Sequence, residues 1–124
     1  MGALRVELEV ADRHGPRFVA LQALVDTGAT YTWAPGSILR ALGHQPDEDR
    51  QFVFSDGRAR VYRLGWVPVC LEGRLRPTPI VFGDEGKEPL LGVVTLEEFG
   101  LAVDPVGCHL VPVPGLLKAA RGVA

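Results

Sequence analysis

The start of the chain constrains the fold most strongly, because apolar and charged residues alternate there without interruption. Residues 4–10 read Leu-Arg-Val-Glu-Leu-Glu-Val, which is the period-two pattern of a strand with one face in water. Residues 12–16 (Asp-Arg-His-Gly-Pro) are turn formers, and residues 17–25 resume an apolar strand. The sequence therefore predicts a β-hairpin whose second strand ends directly before Asp26.

Asp26 stands between an apolar run and a group of small residues, since residues 23–30 read Ala-Leu-Val-Asp-Thr-Gly-Ala-Thr. An ionisable residue straight after an apolar run usually lies where a buried strand emerges at the edge of a core. Gly28 lets the backbone turn at that point without a Cβ penalty. The pattern is therefore typical of a functional site with Asp26 at its centre.

Residues 23–30 resemble the active-site loop of the retropepsin-like aspartic proteases, whose subunits each contribute one Asp to a two-Asp site. In that family a second apolar-apolar-Gly element leads into a short helix, and Leu90, Leu91 and Gly92 are similar to it. The order of elements matches from residue 4 to residue 112. The resemblance implies an all-β, closed barrel of mostly antiparallel strands over residues 1–112, followed by a C-terminal tail at 113–124.

Local patterns agree with that fold class, because they predict many short strands and two short helices. A Pro near the start and a Gly past the end bracket a helix over residues 38–42, and a Gly ends another over residues 93–99. Pro77 and Pro79 cannot donate to a ladder, so their strand, residues 75–82, should include an edge or a bulge. The tally favours a mostly antiparallel, barrel-like domain.

A hairpin is predicted in the middle of the chain, where residues 51–54 and 59–64 are strand-like and an Asp-Gly pair lies between them. By its position after the Asp-Thr-Gly loop, this hairpin corresponds to the flap of the resembling family, which would close over bound peptide. The alternative is a plain surface hairpin. The predicted flap tip consists of Ser55, Asp56, Gly57 and Arg58.

One Asp-Thr-Gly supplies only half of a two-Asp site, and the second element carries Gly92 without an Asp. A two-fold homodimer would complete the site by placing Asp26 opposite its own copy. Two carboxylates about 3 Å apart share one proton, so the pair activates a water as base and serves the leaving amine as acid. The predicted activity is that of an aspartic endopeptidase acting on peptides or proteins, with no cofactor.

The resemblance also implies roles for the residues after Asp26. Thr27 matches the residue that hydrogen-bonds across the two-fold axis and holds the two loops together. Gly28 would permit close approach of substrate and partner backbones, and Ala29 completes the supporting loop.

Two alternatives to an aspartic protease come from other function classes. A non-catalytic dimerisation or peptide-binding module would keep the same fold, but it has no need of a costly buried carboxylate pair. Metal-assisted hydrolysis needs clustered ligands, and His14, His44 and His109 are scattered without ligand spacing. We therefore expect no metal.

Composition indicates which binding partners and which cell compartment we expect for this protein. The net charge is −2 and no basic run is present, which argues against nucleic-acid binding. No stretch approaches the ~18 apolar residues needed to span a bilayer, and the N-terminus lacks a secretory pattern. We expect a soluble, cytoplasmic protein without membrane contact, whose cysteines, Cys70 and Cys108, are reduced thiols in the core.

Overall fold

The structure is a computed structural model that describes residues 3–114. Most of the predicted tail, residues 115–124, lies outside the described residues. The two helices are α1 (Gly36–Ala41) and α2 (Val93–Glu98). The strands are β1 (Arg5–Ala11), β2 (Phe18–Val25), β3 (Thr32–Pro35), β4 (Glu48–Val53), β5 (Ala59–Leu71), β6 (Arg74–Gly83), β7 (Leu90–Leu91), β8 (Leu101–Asp104) and β9 (His109–Pro112).

Seven strands form one sheet in the order β1-β2-β7-β3-β6-β5-β4. β1 also pairs with β5, at Glu9–Cys70 and Val10–Val69, so six strands form a ring of pairings and β4 lies outside it. Only β2–β7 and β3–β6 are parallel. β8 and β9 form a separate two-stranded sheet. The prediction of an all-β, barrel-like fold with mostly antiparallel strands and two short helices is confirmed.

The opening hairpin forms as the alternation predicts, because one face of β1 and β2 enters the core. Leu8 and Val10 of β1 are fully buried, as is Ala23 of β2, whereas the residues between them face outward. The turn between the strands is closed by Asp12, whose carboxylate accepts the backbone N–H of His14 at 2.9 Å. The hairpin therefore delivers residue 26 to the end of a half-buried strand.

The interior is divided between the two faces of β5. Val67 and Val69 pack into the main core, whereas Tyr62 and Leu64 pack into a smaller cluster with Val81. Odd and even positions of a strand point to opposite faces, so the two cores lie on opposite sides of this strand. The smaller core is the one that lies beside the Asp26 loop.

Two local predictions concern β5 and β6. The strand-like stretch predicted over residues 59–64 does not end at residue 64, since β5 runs from Ala59 to Leu71 without a break. Gly65 is needed for close approach instead, because a Cβ there would lie 2.9 Å from the carbonyl oxygen of Gln45. The predicted edge is present, since β3 pairs with β6 only over residues 80–83 and leaves the stretch with Pro77 and Pro79 paired to β5 alone.

The prediction that both cysteines are core thiols is wrong for Cys108 and holds only in part for Cys70. Cys108 is exposed and Cys70 is half-buried. Cys108 adopts a left-handed backbone, with φ of 53°, and its N–H donates to Asp104 O at 2.8 Å. The turn before β9 therefore extends one residue further than its composition indicates. Among residues 3–114, no helix is long and apolar enough to cross a membrane.

Candidate active site

The Asp26 loop is held by its own backbone and by β7. The backbone N–H of Asp26 donates to Leu91 O at 3.0 Å, continuing the parallel pairing of β2 with β7. The Asp26 carboxylate accepts the backbone N–H of Gly28 at 2.9 Å. The backbone carbonyl oxygen of Asp26 accepts the N–H of Ala29 at 3.1 Å. Asp26 is half-buried, whereas Thr27 and Gly28 are exposed. The carboxylate is thus oriented by its loop and remains open to solvent.

The structure brings the second predicted element, Leu90-Leu91-Gly92, directly against this loop. The carbonyl oxygen of Ala29 accepts the N–H of Val93, the residue after Gly92, at 2.9 Å. A Cβ on Gly92 would lie 2.5 Å from the carbonyl carbon of Tyr31, so only glycine fits where the two backbones meet. The elements that sequence places 66 residues apart, Asp26 and Gly92, form one unit.

A cleft of about 290 Å³ separates the Asp26 loop from the β4–β5 hairpin. Of the predicted flap tip, Ser55 lines this cleft, whereas Asp56, Gly57 and Arg58 are not among its lining residues. The Asp56 carboxylate accepts the Arg58 N–H at 3.0 Å, and Gly57 has a φ of 86°, which glycine adopts without strain. Residues 52–55 of the hairpin region therefore face the Asp26 loop across the cleft. The cleft is lined by Asp26, Gly28, Ala29, Thr30, Tyr31, Trp33, Phe52, Val53, Phe54, Ser55 and Leu90.

Aromatic side chains form one wall of the cleft, a feature that we did not predict. The ring centroids of Trp33 and Tyr62 are 4.6 Å apart, and those of Trp33 and Phe52 are 5.5 Å apart. Burial and a hydrogen bond from its hydroxyl to Asp84 raise the pKa of Tyr62. We call this group the aromatic wall; it comprises Tyr31, Trp33, Phe52 and Phe54, which line the cleft, and Tyr62, which packs against Trp33 outside the lining of the cleft.

A sequence signal for the aromatic wall exists. Tyr31 and Trp33 are two residues apart, as are Phe52 and Phe54, so each pair of rings lies on one face of an extended segment. Arg50 of β4 links the two segments, because its guanidinium donates to the Tyr31 hydroxyl and lies 5.3 Å from the Tyr31 ring centroid. β4 is therefore in direct contact with Tyr31, which follows the Asp26 loop.

Carboxylates fasten the loop that leads from β6 into β7. Glu85 accepts hydrogen bonds from the Ser37 hydroxyl at 2.5 Å and from the Ser37 backbone N–H at 3.0 Å, and both lower the pKa of Glu85. Glu88 pairs with Arg5, whose hydrogen bond lowers the pKa of Glu88. This loop therefore positions β7, and with it Leu91, through contacts that depend on ionised carboxylates.

Replacing Glu85 with Gln should flatten the dependence of thermal stability on pH. The folded-state pKa of Glu85 is depressed, so its contribution is fully present above the unfolded pKa and is lost as pH falls through the folded pKa. We expect the fall in Tm between about pH 5 and pH 3 to be shallower in Glu85→Gln than in the wild type. The control is Glu98→Gln, which changes a carboxylate that makes no hydrogen bond among the residues described. Equal slopes in all three proteins would contradict the assignment.

The three histidines differ in environment. His14 is exposed, and His44 is buried with its Nε2 at 2.6 Å from Ala11 O. His109 is exposed, with its Nε2 at 3.9 Å from an Asp104 oxygen. Within residues 3–114, no three His, Cys, Asp or Glu residues are grouped so that they could hold a metal ion.

No family model and no curated protein matches this sequence. Solved structures do resemble it. The retroviral protease-like domain of Ddi1 from Leishmania major is 19% identical, with a TM-score of 0.59 over 95% of this chain and 97% of that domain. The solution structure of the simian foamy virus (mac) protease is 19% identical, with a TM-score of 0.54 over 79% of this chain and 94% of that protein.

A third similar structure is the foamy viral protease-reverse transcriptase in complex with an RNA/DNA hybrid. It is 14% identical, with a TM-score of 0.61 over 93% of this chain. This chain spans only 13% of that larger protein. TM-scores above 0.5 over most of the chain show that these structures share its architecture. The sequence identities are low, so the likeness is one of fold. The chain therefore has the retropepsin-like fold of the retroviral-type proteases.

Proposed function

We propose that this protein is an aspartic endopeptidase that acts as a homodimer, with one Asp26 from each copy at the reacting centre. The observation that carries the proposal is the position of Asp26 in a retropepsin-like fold. It directly follows β2, it is braced by β7, and it lines a cleft between its own loop and the β4–β5 hairpin. A protein without catalytic function has no need of a half-buried carboxylate at this place.

The chemistry follows from pairing two such carboxylates. A single Asp is ionised at neutral pH and is a poor general acid. Two Asp26 side chains within about 3 Å share one proton, so that the ionised one removes a proton from water while the protonated one gives its proton to the scissile carbonyl oxygen. When the resulting diol collapses, the proton taken from water passes to the leaving amine and the other carboxylate regains a proton from a diol hydroxyl. Water is the nucleophile, and no covalent intermediate forms. The apparent pKa values belong to the pair rather than to either residue.

A concave surface beside Asp26 supports the homodimer. This groove of about 670 Å³ is lined mainly by apolar side chains, including Leu4 and Val103, and it reaches Asp26 and Thr27. Exposed apolar concavities of this kind often mark interfaces. A second copy seated there would bring its own Asp26 loop to the axis, where the exposed Thr27 hydroxyl can hydrogen-bond across it.

The β8–β9 hairpin forms one side of this groove, through Val103, Pro105 and Cys108. Within the described residues it pairs with no strand of the main sheet, and it packs on the main core through Leu101 and Leu110. Val106 at its turn is 93% exposed. We therefore place part of the subunit interface on this hairpin.

The aromatic wall supports a substrate class. Trp33, Phe54 and Leu90 line the Asp26 cleft and also a neighbouring cleft of about 280 Å³, so an extended peptide leaving Asp26 would continue along aromatic surface. Such walls bind apolar side chains. We propose substrates with large apolar residues next to the scissile bond, with the hairpin around Gly57 as a flap that supplies backbone hydrogen bonds.

The test is cleavage of a mixed library of unstructured peptides between about pH 4 and pH 7, with sedimentation at the same protein concentrations. Where the dimer dissociates, a tenfold dilution should lower the initial rate about a hundredfold, because the dimer concentration then varies as the square of the total. At higher concentrations, where dimer predominates, the rate should become linear. A strictly linear dependence across the measured dissociation range would rule out a shared site. A stable dimer that binds peptides without cleaving them would favour the peptide-binding module.

A further inference from the structure

Three buried threonine hydroxyls form a continuous hydrogen-bonded row beneath the Asp26 loop. Thr95 Oγ1 lies 2.6 Å from Thr32 Oγ1 and 2.8 Å from Thr78 Oγ1. All three side chains have no exposed surface. They come from three different elements, because Thr32 begins β3, Thr78 lies in β6 and Thr95 lies in α2. The row therefore ties together parts of the chain that share no local sequence.

The row ends on the backbone that braces Asp26. Thr32 Oγ1 accepts the N–H of Gly92 at 3.1 Å. The preceding residue, Leu91, accepts the N–H of Asp26. The Leu91 carbonyl and the Gly92 N–H belong to one peptide unit, so a displacement of Thr32 is transmitted through that single unit to the loop that carries the carboxylate.

Packing alone does not explain why these positions carry hydroxyls. Valine has nearly the shape of threonine and would fill the same buried space, whereas a buried hydroxyl is costly unless it is fully hydrogen-bonded. Each hydroxyl here is bonded, and a satisfied buried network fixes one geometry more tightly than apolar contacts do. The row is thus suited to fixing position.

We propose that Thr32, Thr95 and Thr78 are positioning residues for the dyad. They fix the position of residues 91–92 relative to the Asp26 loop. Through that loop they set the separation of the two Asp26 carboxylates across the dimer. The inference rests on the proposed function, since proton sharing requires about 3 Å between the carboxylates and a misplacement of about 1 Å can cost a hundredfold in rate. None of the three residues lines the Asp26 cleft.

The decisive variants are Thr95→Val, which breaks the row at its centre, and Thr95→Ser, which keeps the hydroxyl. For the Thr95→Val dimer we expect kcat to fall about tenfold or more, with KM within about twofold of the wild type. Its pH–rate profile should be displaced, because the coupling of the two carboxylates changes with their separation. Thr95→Ser should restore both kcat and the profile. A Thr95→Val dimer with wild-type kcat and profile would overturn the proposal.

A second readout separates this proposal from the proposed function. Amide hydrogen exchange of Gly92 and Asp26, measured in the full chain, should be faster in Thr95→Val but not in Thr95→Ser, while exchange of Val69 in β5 stays unchanged. If no peptide is cleaved by the wild type, endopeptidase activity fails, and the exchange result still decides the positioning role. Unchanged exchange at Gly92 would overturn it. If Thr95→Val does not fold, Thr78→Val, which shortens the row at its far end, is measured in the same way.

Discussion

Replacing Asp26 with Asn should abolish peptide hydrolysis while the fold and the proposed dimer persist. Asn has the shape of Asp and retains an oxygen that can accept the N–H of Gly28, the bond that orients the side chain at 2.9 Å. The Asn amide cannot take up and release the shared proton, so the site can neither deprotonate the water nor protonate the leaving amine. We expect the rate to fall by at least about a thousandfold. The measurement is the hydrolysis rate of the best library peptide, with Tm and sedimentation on the same samples.

Asp47→Asn is the matched control for this substitution. Asp47 is exposed and precedes β4, and its side chain is not among those lining the Asp26 cleft. The control should cleave at the wild-type rate, because it makes the same chemical change away from the cleft. An Asp26→Asn protein that still cleaves at the wild-type rate would remove the dyad from the mechanism. Loss of activity together with loss of the dimer would point instead to the interface.

The position of Asp26 could be predicted because its determinants are local. Strict alternation defines β1, turn formers follow, and the carboxylate comes directly after the apolar run of β2. Each step uses residues that are neighbours in sequence. The approach of Gly92 to this loop has no such local determinant, and it could be expected only from the resemblance in the order of elements.

The aromatic wall could not be predicted in the same way, although its periodicity is visible. Tyr31 and Trp33 lie at β3, whereas Phe52 lies in β4 and Tyr62 in β5. Their contact therefore depends on the order of those strands in the sheet. That order places β7 between β2 and β3 and β6 beside β3. Period-two spacing indicates which side chains share a face but not which segments will be neighbours.

The threonine row and Cys108 illustrate two further limits. Thr95 is separated from Thr32 by 63 residues and from Thr78 by 17, and a single threonine in an apolar run is compatible with either a strand or a helix. Cys108 is predicted in the core because it lies in a strand-like run and free cysteines are usually buried, yet this residue has a left-handed backbone in the turn before β9. In both cases the deciding contact is made by the backbone or by a residue that is distant in sequence.

Replacing Gly92 with Ala should damage both the fold and the site, through contact rather than through backbone strain. The backbone of Gly92 is ordinary and extended, with φ of −96°. The added Cβ would lie 2.5 Å from Tyr31 C, 2.6 Å from Tyr31 O and 3.0 Å from Ala29 O. All three atoms belong to the backbone, so no side-chain rotation relieves the overlap. We expect a loss of about 3 kcal/mol or more in the free energy of unfolding, which lowers Tm by about 10 °C or more.

Gly73→Ala provides the opposite case and makes the prediction specific. Gly73 has a left-handed φ of 77°, but a Cβ there would meet no atom within 4 Å. Its substitution should cost about 1–2 kcal/mol, the strain of a left-handed alanine, and should leave cleavage unchanged because the β5–β6 turn does not line the Asp26 cleft. Gly92→Ala should lose activity even below its Tm, since separating Gly92 from Tyr31 moves the loop that carries Asp26. Thermal unfolding and cleavage rates of the two variants decide the matter. A Gly73→Ala protein that is less stable than Gly92→Ala, or an active Gly92→Ala protein of wild-type stability, would show that the two backbones are not in the contact described.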